Sequence, residues 1–377
     1  MISFRRGKLG NIALYMFFLF TSIIFLYQYN SRMFNIRLIF MIIGAGVGYF
    51  SGGRRAGFKH KLFLLATFLL MCWLICVLLQ NGYINYPIDN MLYTILYLGL
   101  SVLILRNLYN HYIALALYGI TIASIIKKLA QDTSINAILF ANSRNYISVL
   151  LLFTLLLYYI SCHDKNRHLL VTPAILYFIV SIIATGRGGI FSSGFLAIGI
   201  CVYKAFSLEN KYAKRLLWLV IIILTLISVA LASSVSDNTI GGFLGNYFNV
   251  LRVKGITDVT RQKIWTSYVK NNHCDLLTFL VGSDTHLVRR DGNLHNSFLQ
   301  AYAAFGFVGF AAIIILVLKA LIQGLKNKDW LWIILYVGLI LRAFTDRLFF
   351  QGYCEIFLYY FILYWDYKGK KRSSQRN

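Results

Sequence analysis

Three basic side chains stand out because of what surrounds them. Arg187 lies in Ala184-Thr-Gly-Arg-Gly-Gly189, a tight turn between two apolar runs. Its guanidinium is a rigid fork of donors that matches a phosphate. Gly186, Gly188 and Gly189 would let a bulky anion reach both the fork and the N–H groups that open the next helix. An arginine at such a turn can equally snorkel to lipid headgroups, and the sequence leaves both readings standing. Arg261 falls in Asp258-Val-Thr-Arg-Gln-Lys-Ile-Trp-Thr-Ser-Tyr-Val-Lys270, which reads as an amphipathic helix with Ile264, Trp265 and Tyr268 on its apolar face and Asp258 or Thr260 as cap. A basic residue in a first helical turn opposes the helix dipole, a conflict that a phosphate ligand would resolve and that a solvated surface arginine would merely tolerate.

His295 is the third. It ends Asp291-Gly-Asn-Leu-His-Asn296, immediately before an apolar run, with Asn296 at the expected helix start. A histidine there can accept a proton from an attacking hydroxyl, or serve as a polar cap. His273 and His286 are competing bases. Arg289 and Arg290, with Asp284 and Asp291, are either binding groups or a solvated charge cluster. Gly188, Gly189, Trp265 and Asn296 complete the expected substrate-binding set.

Absent patterns narrow the chemistry. The chain has no Asp-x-Asp or Asp-Asp pair for a divalent metal, no Walker loop, no Gly-x-Ser-x-Gly elbow and no zinc-ligand spacing. We therefore expect no metal and no cofactor. Any leaving anion would have to be neutralised by arginines. Cysteines 72, 76, 162, 201, 274 and 354 form no CxxC pair and read as structural; a Cys274–Cys354 disulfide has nothing to support it.

The elements that must hold these residues are hydrophobic helices. The 377 residues are 59% hydrophobic and 13% charged, with mean hydropathy +0.66. That composition belongs to a polytopic membrane protein. The first apolar run follows Arg5, Arg6 and Lys8 without a cleavage site and is read as a retained helix. Apolar runs predict about 12 transmembrane helices near 11–29, 34–50, 62–80, 91–105, 111–126, 145–161, 169–185, 190–206, 216–232, 296–318, 331–345 and 353–366. Two of these, 91–105 and 353–366, are short or interrupted. Pro173 falls near a helix start, where it is tolerated. The expectation is one all-α membrane domain over 1–377, carrying one long, partly helical loop over 233–295 between spans 9 and 10.

The net charge of +24 resides in short links between apolar runs, among them Arg54, Arg55, Lys59 and Lys61, then Lys204, Lys211, Lys214 and Arg215, then Lys319, Lys326 and Lys328. The positive-inside rule makes these links and both termini cytoplasmic, and puts Arg187, His295 and the long loop on the outer side. The basic residues thus orient the chain in a lipid bilayer, and no nucleic-acid partner is expected.

Thr185-Gly-Arg-Gly-Gly189 between two spans, Arg261-x-x-x-Trp265 in the loop, and His295-Asn-Ser-Phe-Leu299 followed by Ala304-Phe-Gly-Phe-Val-Gly309 occur in an order that resembles the O-antigen ligase and polymerase family of bacterial envelope glycosyltransferases. The likeness covers about residues 180–310 in motif and the whole chain in topology. It implies a GT-C-like, metal-independent, inverting transferase at the periplasmic face of the inner membrane. Its substrate would be an undecaprenyl-diphosphate-linked oligosaccharide. Arg187 and Arg261 would hold the diphosphate and His295 would be the base. A polymerase of O-antigen or capsule is favoured over a ligase that uses lipid A-core, with a chain-length regulator and a flippase as partners. A flippase or other transporter is the reading from a different class. It would place cations along the middle of several spans and would need no long re-entering loop.

Overall fold

The structure is a computed structural model that describes residues 2–27, 31–51, 56–79, 85–106, 110–131, 137–140, 144–165, 169–184, 186–208, scattered positions of 211–222, then 259–271, 276–282, 294–350 and 352–373. Among the described residues there is no strand. The helices are α1 (Ile2–Leu26), α2 (Ser31–Ser51), α3 (Ala56–Leu79), α4 (Asn85–Leu105), α5 (His111–Ala130), α6 (Asn145–Lys165), α7 (Thr172–Ile183), α8 (Arg187–Ser207), α9 (Val259–Asn271), α10 (Leu276–Val281), α11 (Ser297–Lys326), α12 (Trp330–Thr345) and α13 (Glu355–Ser373). Eight of these, α1 to α6, α8 and α11, are long and apolar enough to cross a membrane, whereas α7 and α12 are apolar but shorter. The chain is an all-α polytopic membrane protein.

Eleven of the expected spans coincide with a described helix, and the remaining one, 216–232, lies almost wholly outside the described residues. The run expected as short over 91–105 is a full-length helix, because Asn85-Tyr-Pro-Ile-Asp-Asn90 continues it backward with proline in its first turn. The Arg187 turn is also shorter than the apolar pattern suggests. α8 begins at Arg187 itself, with extended Gly186 as its cap, so the arginine is the first helical residue.

Two helices make the centre. Leu150 to Cys162 of α6 and Glu355 to Tyr364 of α13 are buried on every side, as expected for a helix that is apolar all round and ringed by other helices. They meet through Phe153 and Phe357, ring centroids 5.8 Å apart, with Phe18 of α1 stacked on Phe153 at 4.2 Å. Helices α1, α2 and α4 pack closely through small residues: a Cβ on Gly48 would run into the Gly99 carbonyl, and one on Gly99 into Ala45. The described cysteines are buried free thiols, Cys354 included.

α11 is broken at Gly306 (φ 63°, ψ −170°), so Ser297–Phe305 forms a half-helix ahead of the longer segment. Gly306 lies against the backbone of Leu280, Val281 and Gly282, and Gly282 itself has φ 109°. Only glycine fits both positions, which need left-handed backbone and have no room for a Cβ. The loop helix α10 thereby seats in the kink, where Phe279 stacks on Phe307 at 5.3 Å. Near the kink, the carbonyl of Ala304 accepts the Cys76 thiol.

The two ends of the bundle differ. At one end, Lys61 pairs with Asp366, and Asp329 is held by His163 Nε2 at 2.8 and 2.9 Å. Arg187, His295, Thr345 and Asp346 lie at the other.

Candidate functional site

The site forms where three helix ends meet: the start of α8, the start of α11 and the end of α12. Arg342, one turn before the end of α12, is 1% exposed. Its guanidinium spends every nitrogen on a partner. Nε donates to Ser148 Oγ at 3.3 Å, Nη1 to Thr345 Oγ1 at 2.9 Å, and Nη2 to the Asn145 carbonyl at 2.8 Å and to Asp346 Oδ2 at 3.2 Å. Asp346, fully buried, caps the C-terminus of α12, where a carboxylate opposes the helix dipole. Arg342 supplies the charge that makes this position tolerable.

The other oxygen of that carboxylate faces His295. Nδ1 of His295 lies 3.4 Å from Asp346 Oδ1, which also accepts the Arg347 N–H at 3.2 Å. A carboxylate on Nδ1 selects the tautomer with its proton on that nitrogen, so Nε2 carries the basic lone pair. His295 is half-buried and has φ 50°, a left-handed conformation uncommon outside glycine. Its neighbours hold that conformation in place. Asn296 caps α11 by accepting the N–H groups of Phe298 at 2.9 Å and Leu299 at 3.0 Å. Ser297 Oγ donates to the Asp346 carbonyl at 2.8 Å and accepts the Leu348 N–H at 2.7 Å. Residues about fifty positions apart in sequence are thus stitched into one rigid corner.

Arg187 approaches this corner through its glycines. A Cβ on Gly188 would collide with the Thr345 side chain, and one on Gly189 with Ser148. Both contacted residues are partners of Arg342. The glycines therefore do more than open space around the guanidinium: they let the start of α8, with half-buried Arg187 as its first residue, press against Ser148 of α6 and Thr345 of α12, both partners of Arg342. Gly188 and Gly189, expected to bind substrate, have their vacant side-chain positions filled by Thr345 and Ser148. What they can offer a ligand is backbone N–H at a helix start.

The long loop reaches the same place. α9 begins at Val259, so Thr260 is a helical residue, and Asp258, the other expected cap, lies outside the described residues. Its expected apolar face is the one that docks: Ile264 and Tyr268 pack with Leu294, Leu299, Tyr302 and Ala303. Trp265 donates its indole N–H to the Leu294 carbonyl at 2.7 Å, anchoring the residue before His295. Trp265 and Asn296, both expected to bind substrate, thus have a hydrogen-bonding atom committed to shaping the site. Arg261 stands in the first turn of α9, four residues before Trp265 and so on the same helical face. Its side chain lies outside the described residues, as do Arg289, Arg290, Asp284, Asp291, His273 and His286.

Thr345, Ser148 and Ser297 are site residues that the motifs did not point to, and Arg342 and Asp346, conspicuous as charges at an outer helix end, had no role in them. A signal did exist: Arg342 and Asp346 are an i,i+4 pair of opposite charge at the end of an apolar helix, a costly arrangement in a bilayer unless it has work to do. Among the described residues no group of His, Cys, Asp and Glu could hold a metal ion. The helix start that carries Arg187 and a carboxylate-oriented histidine come together at one end of the bundle, and groups of these types can bind an anion and take up a proton. Neither a protein-family model, a curated protein nor a solved structure matches this chain.

Proposed function

We propose that the protein is a membrane-embedded glycosyltransferase that polymerises a bacterial surface polysaccharide, O-antigen or capsule, at the periplasmic face of the inner membrane. The observation that carries this reading is the Arg342–Asp346–His295 chain of contacts beside the Arg187 helix start, joined to the long loop through Trp265. The basic links favour the orientation that puts this corner outside, and about 12 spans would then bring both ends of the chain to the cytoplasmic side.

In the proposed reaction the donor is an undecaprenyl-diphosphate-linked glycan. Its diphosphate binds Arg187, with Arg261 as the second cation from the loop. The acceptor hydroxyl gives its proton to His295 Nε2 as its oxygen bonds to the donor's anomeric carbon. The bond from that carbon to the diphosphate oxygen breaks, and its electron pair leaves with undecaprenyl diphosphate. A single displacement inverts the anomeric centre. Asp346 stabilises the imidazolium that forms, and the arginines stabilise the negative charge that develops on the leaving group.

The test is an assay of the purified protein with undecaprenyl-diphosphate-linked repeat units, with and without lipid A-core, read on a glycan ladder gel. A ladder on the carrier alone is the expected result. Product only with lipid A-core would make the protein a ligase. No product with either acceptor would overturn the transferase reading in favour of a flippase.

A further inference from the structure

A second buried cation lies away from the His295 corner and has no role in the chemistry above. Arg37, near the start of α2, is 2% exposed; Tyr353 and Tyr93 hydrogen-bond its side chain, yet its Nε and Nη1 have no hydrogen-bond partner among the described residues. Its guanidinium carbon sits over the rings of Phe34 at 4.7 Å and Tyr353 at 5.1 Å, while Tyr93 and Tyr97 of α4 also face it. No carboxylate among the described residues pairs with it. The buried Glu355 nearby is engaged instead by Thr94 and Tyr359. One turn before Tyr93, on the same face of α4, Asn90 is buried with its Nδ2 also lacking a partner. Buried donors, above all charged ones, are satisfied in native proteins, so N–H groups without a partner among the described residues, on neighbouring helices, point to an acceptor at this place. Aromatic faces around the guanidinium supply the apolar walls of such a place.

Position makes the acceptor specific. Arg37 and Asn90 lie toward the same end of the bundle as His295, and the α12–α13 connection runs from Asp346 at one site to Tyr353 at the other. We propose that Arg37, with Asn90 and the Tyr353 hydroxyl, binds the diphosphate of a second polyprenyl carrier, the one that bears the acceptor glycan. This assignment rests on the polymerase reading, in which both substrates are lipid-linked. The acceptor's diphosphate is retained through the reaction and lies a whole repeat unit from the attacking hydroxyl. It therefore needs an anchor of its own, distant from the bond being broken and level with it in the bilayer. The shared chemistry is a phosphate oxyanion, which a phospholipid headgroup or free diphosphate also carries.

The experiment counts ligands bound to the full-length protein in detergent by native mass spectrometry, with geranylgeranyl diphosphate as probe. Wild type is expected to bind two, Arg37→Ala one, Arg187→Ala one and the double variant none. Asn90→Leu should weaken one of the two sites several-fold. Phosphatidylglycerol and inorganic diphosphate, added as competitors at equal concentration, are expected to leave both probe molecules bound. Displacement of the Arg37-dependent molecule by phosphatidylglycerol would reduce the site to a headgroup contact, and displacement by inorganic diphosphate to a free-anion site. Two molecules bound to Arg37→Ala would overturn the proposal. Thermal stability provides a second readout: the probe should raise the melting temperature of the wild type more than that of Arg37→Ala, whereas a purely structural arginine would give equal increments. The binding count needs no turnover. A wild type that binds two probes yet builds no ladder would refute the polymerase reading separately.

Discussion

At the scale of single residues, the corner around His295 is built so that each group depends on the next. His295→Ala is expected to lower glycan extension by about 10²–10⁴-fold, the range of a lost general base. Arg187→Ala should cost on the order of a hundredfold or more. Arg187→Lys should not restore activity, because a point charge lacks the planar fork that holds two phosphate oxygens. Chain-length ladders from membranes with matched protein levels check all three, and full activity in Arg187→Lys would reduce that site to simple charge attraction. Asp346 poses a different problem, since it both orients His295 and neutralises Arg342. Removing it alone leaves a buried, uncompensated guanidinium, at a cost of about 3–5 kcal/mol. The Arg342→Met/Asp346→Leu pair removes both charges and should recover much of the thermal stability of the wild type. It should not recover activity, because the histidine has lost its tautomer-selecting partner. A fully active double variant would confine Asp346 to a structural role.

At the scale of elements, close approach decides the site. The first turn of α8 reaches Thr345 and Ser148 only because Gly188 and Gly189 have no side chains. Gly188→Val is therefore expected to push α8 away from α12 and disturb the Arg342 contacts. Activity should fall at least tenfold while the protein remains folded, an overpacking effect of roughly 1–3 kcal/mol. An unchanged ladder and melting temperature would show that the packing is dispensable. The glycines were legible in the sequence as openings around Arg187, but their partners were not, because Ser148 and Thr345 are remote in the chain. The kink at Gly306 has the same character. The run Ala304-Phe-Gly-Phe-Val-Gly309 reads as continuous helix, yet the seat for α10 exists only once Gly282 and Gly306 meet.

At the scale of the whole molecule, the two ends of the bundle carry different ion pairs and answer to different tests. Asp329, at the end away from His295, is partly buried. Although burial raises its pKa, the hydrogen bond and charge of His163, the Trp332 N–H and Lys368 outweigh that effect and hold the carboxyl below its ordinary range. A carboxyl lowered by folding contributes stability that is complete above its unfolded pKa and is lost as pH falls through the folded value. Thermal stability in detergent should therefore decline as pH drops below the usual carboxylate range, and less steeply in Asp329→Asn. Equal slopes would remove Asp329 from the acid response. Orientation is tested by accessibility. The described cysteines are buried, so in a Cys274→Ser background an introduced His295→Cys should react with a membrane-impermeant thiol reagent from outside the cell, and Asp329→Cys should not. The opposite pattern would invert the topology.

The sequence by itself determined that the chain is a bundle of apolar helices, where nearly all of them run, and which helix face of the loop segment is buried. These properties follow from local composition and periodicity, which act over a few turns of chain. It also marked Arg187 and His295, since a charge or an imidazole beside a long apolar run is conspicuous in any bilayer. Only the tertiary structure decided that Asp346 turns one oxygen to His295 and the other to Arg342, that Gly188 rests on Thr345, and that Arg37 is buried with two nitrogens lacking a partner among the described residues. Each of these facts depends on side chains from helices far apart in sequence arriving within hydrogen-bonding or van der Waals distance, and that is a property of packing, to which no local pattern refers.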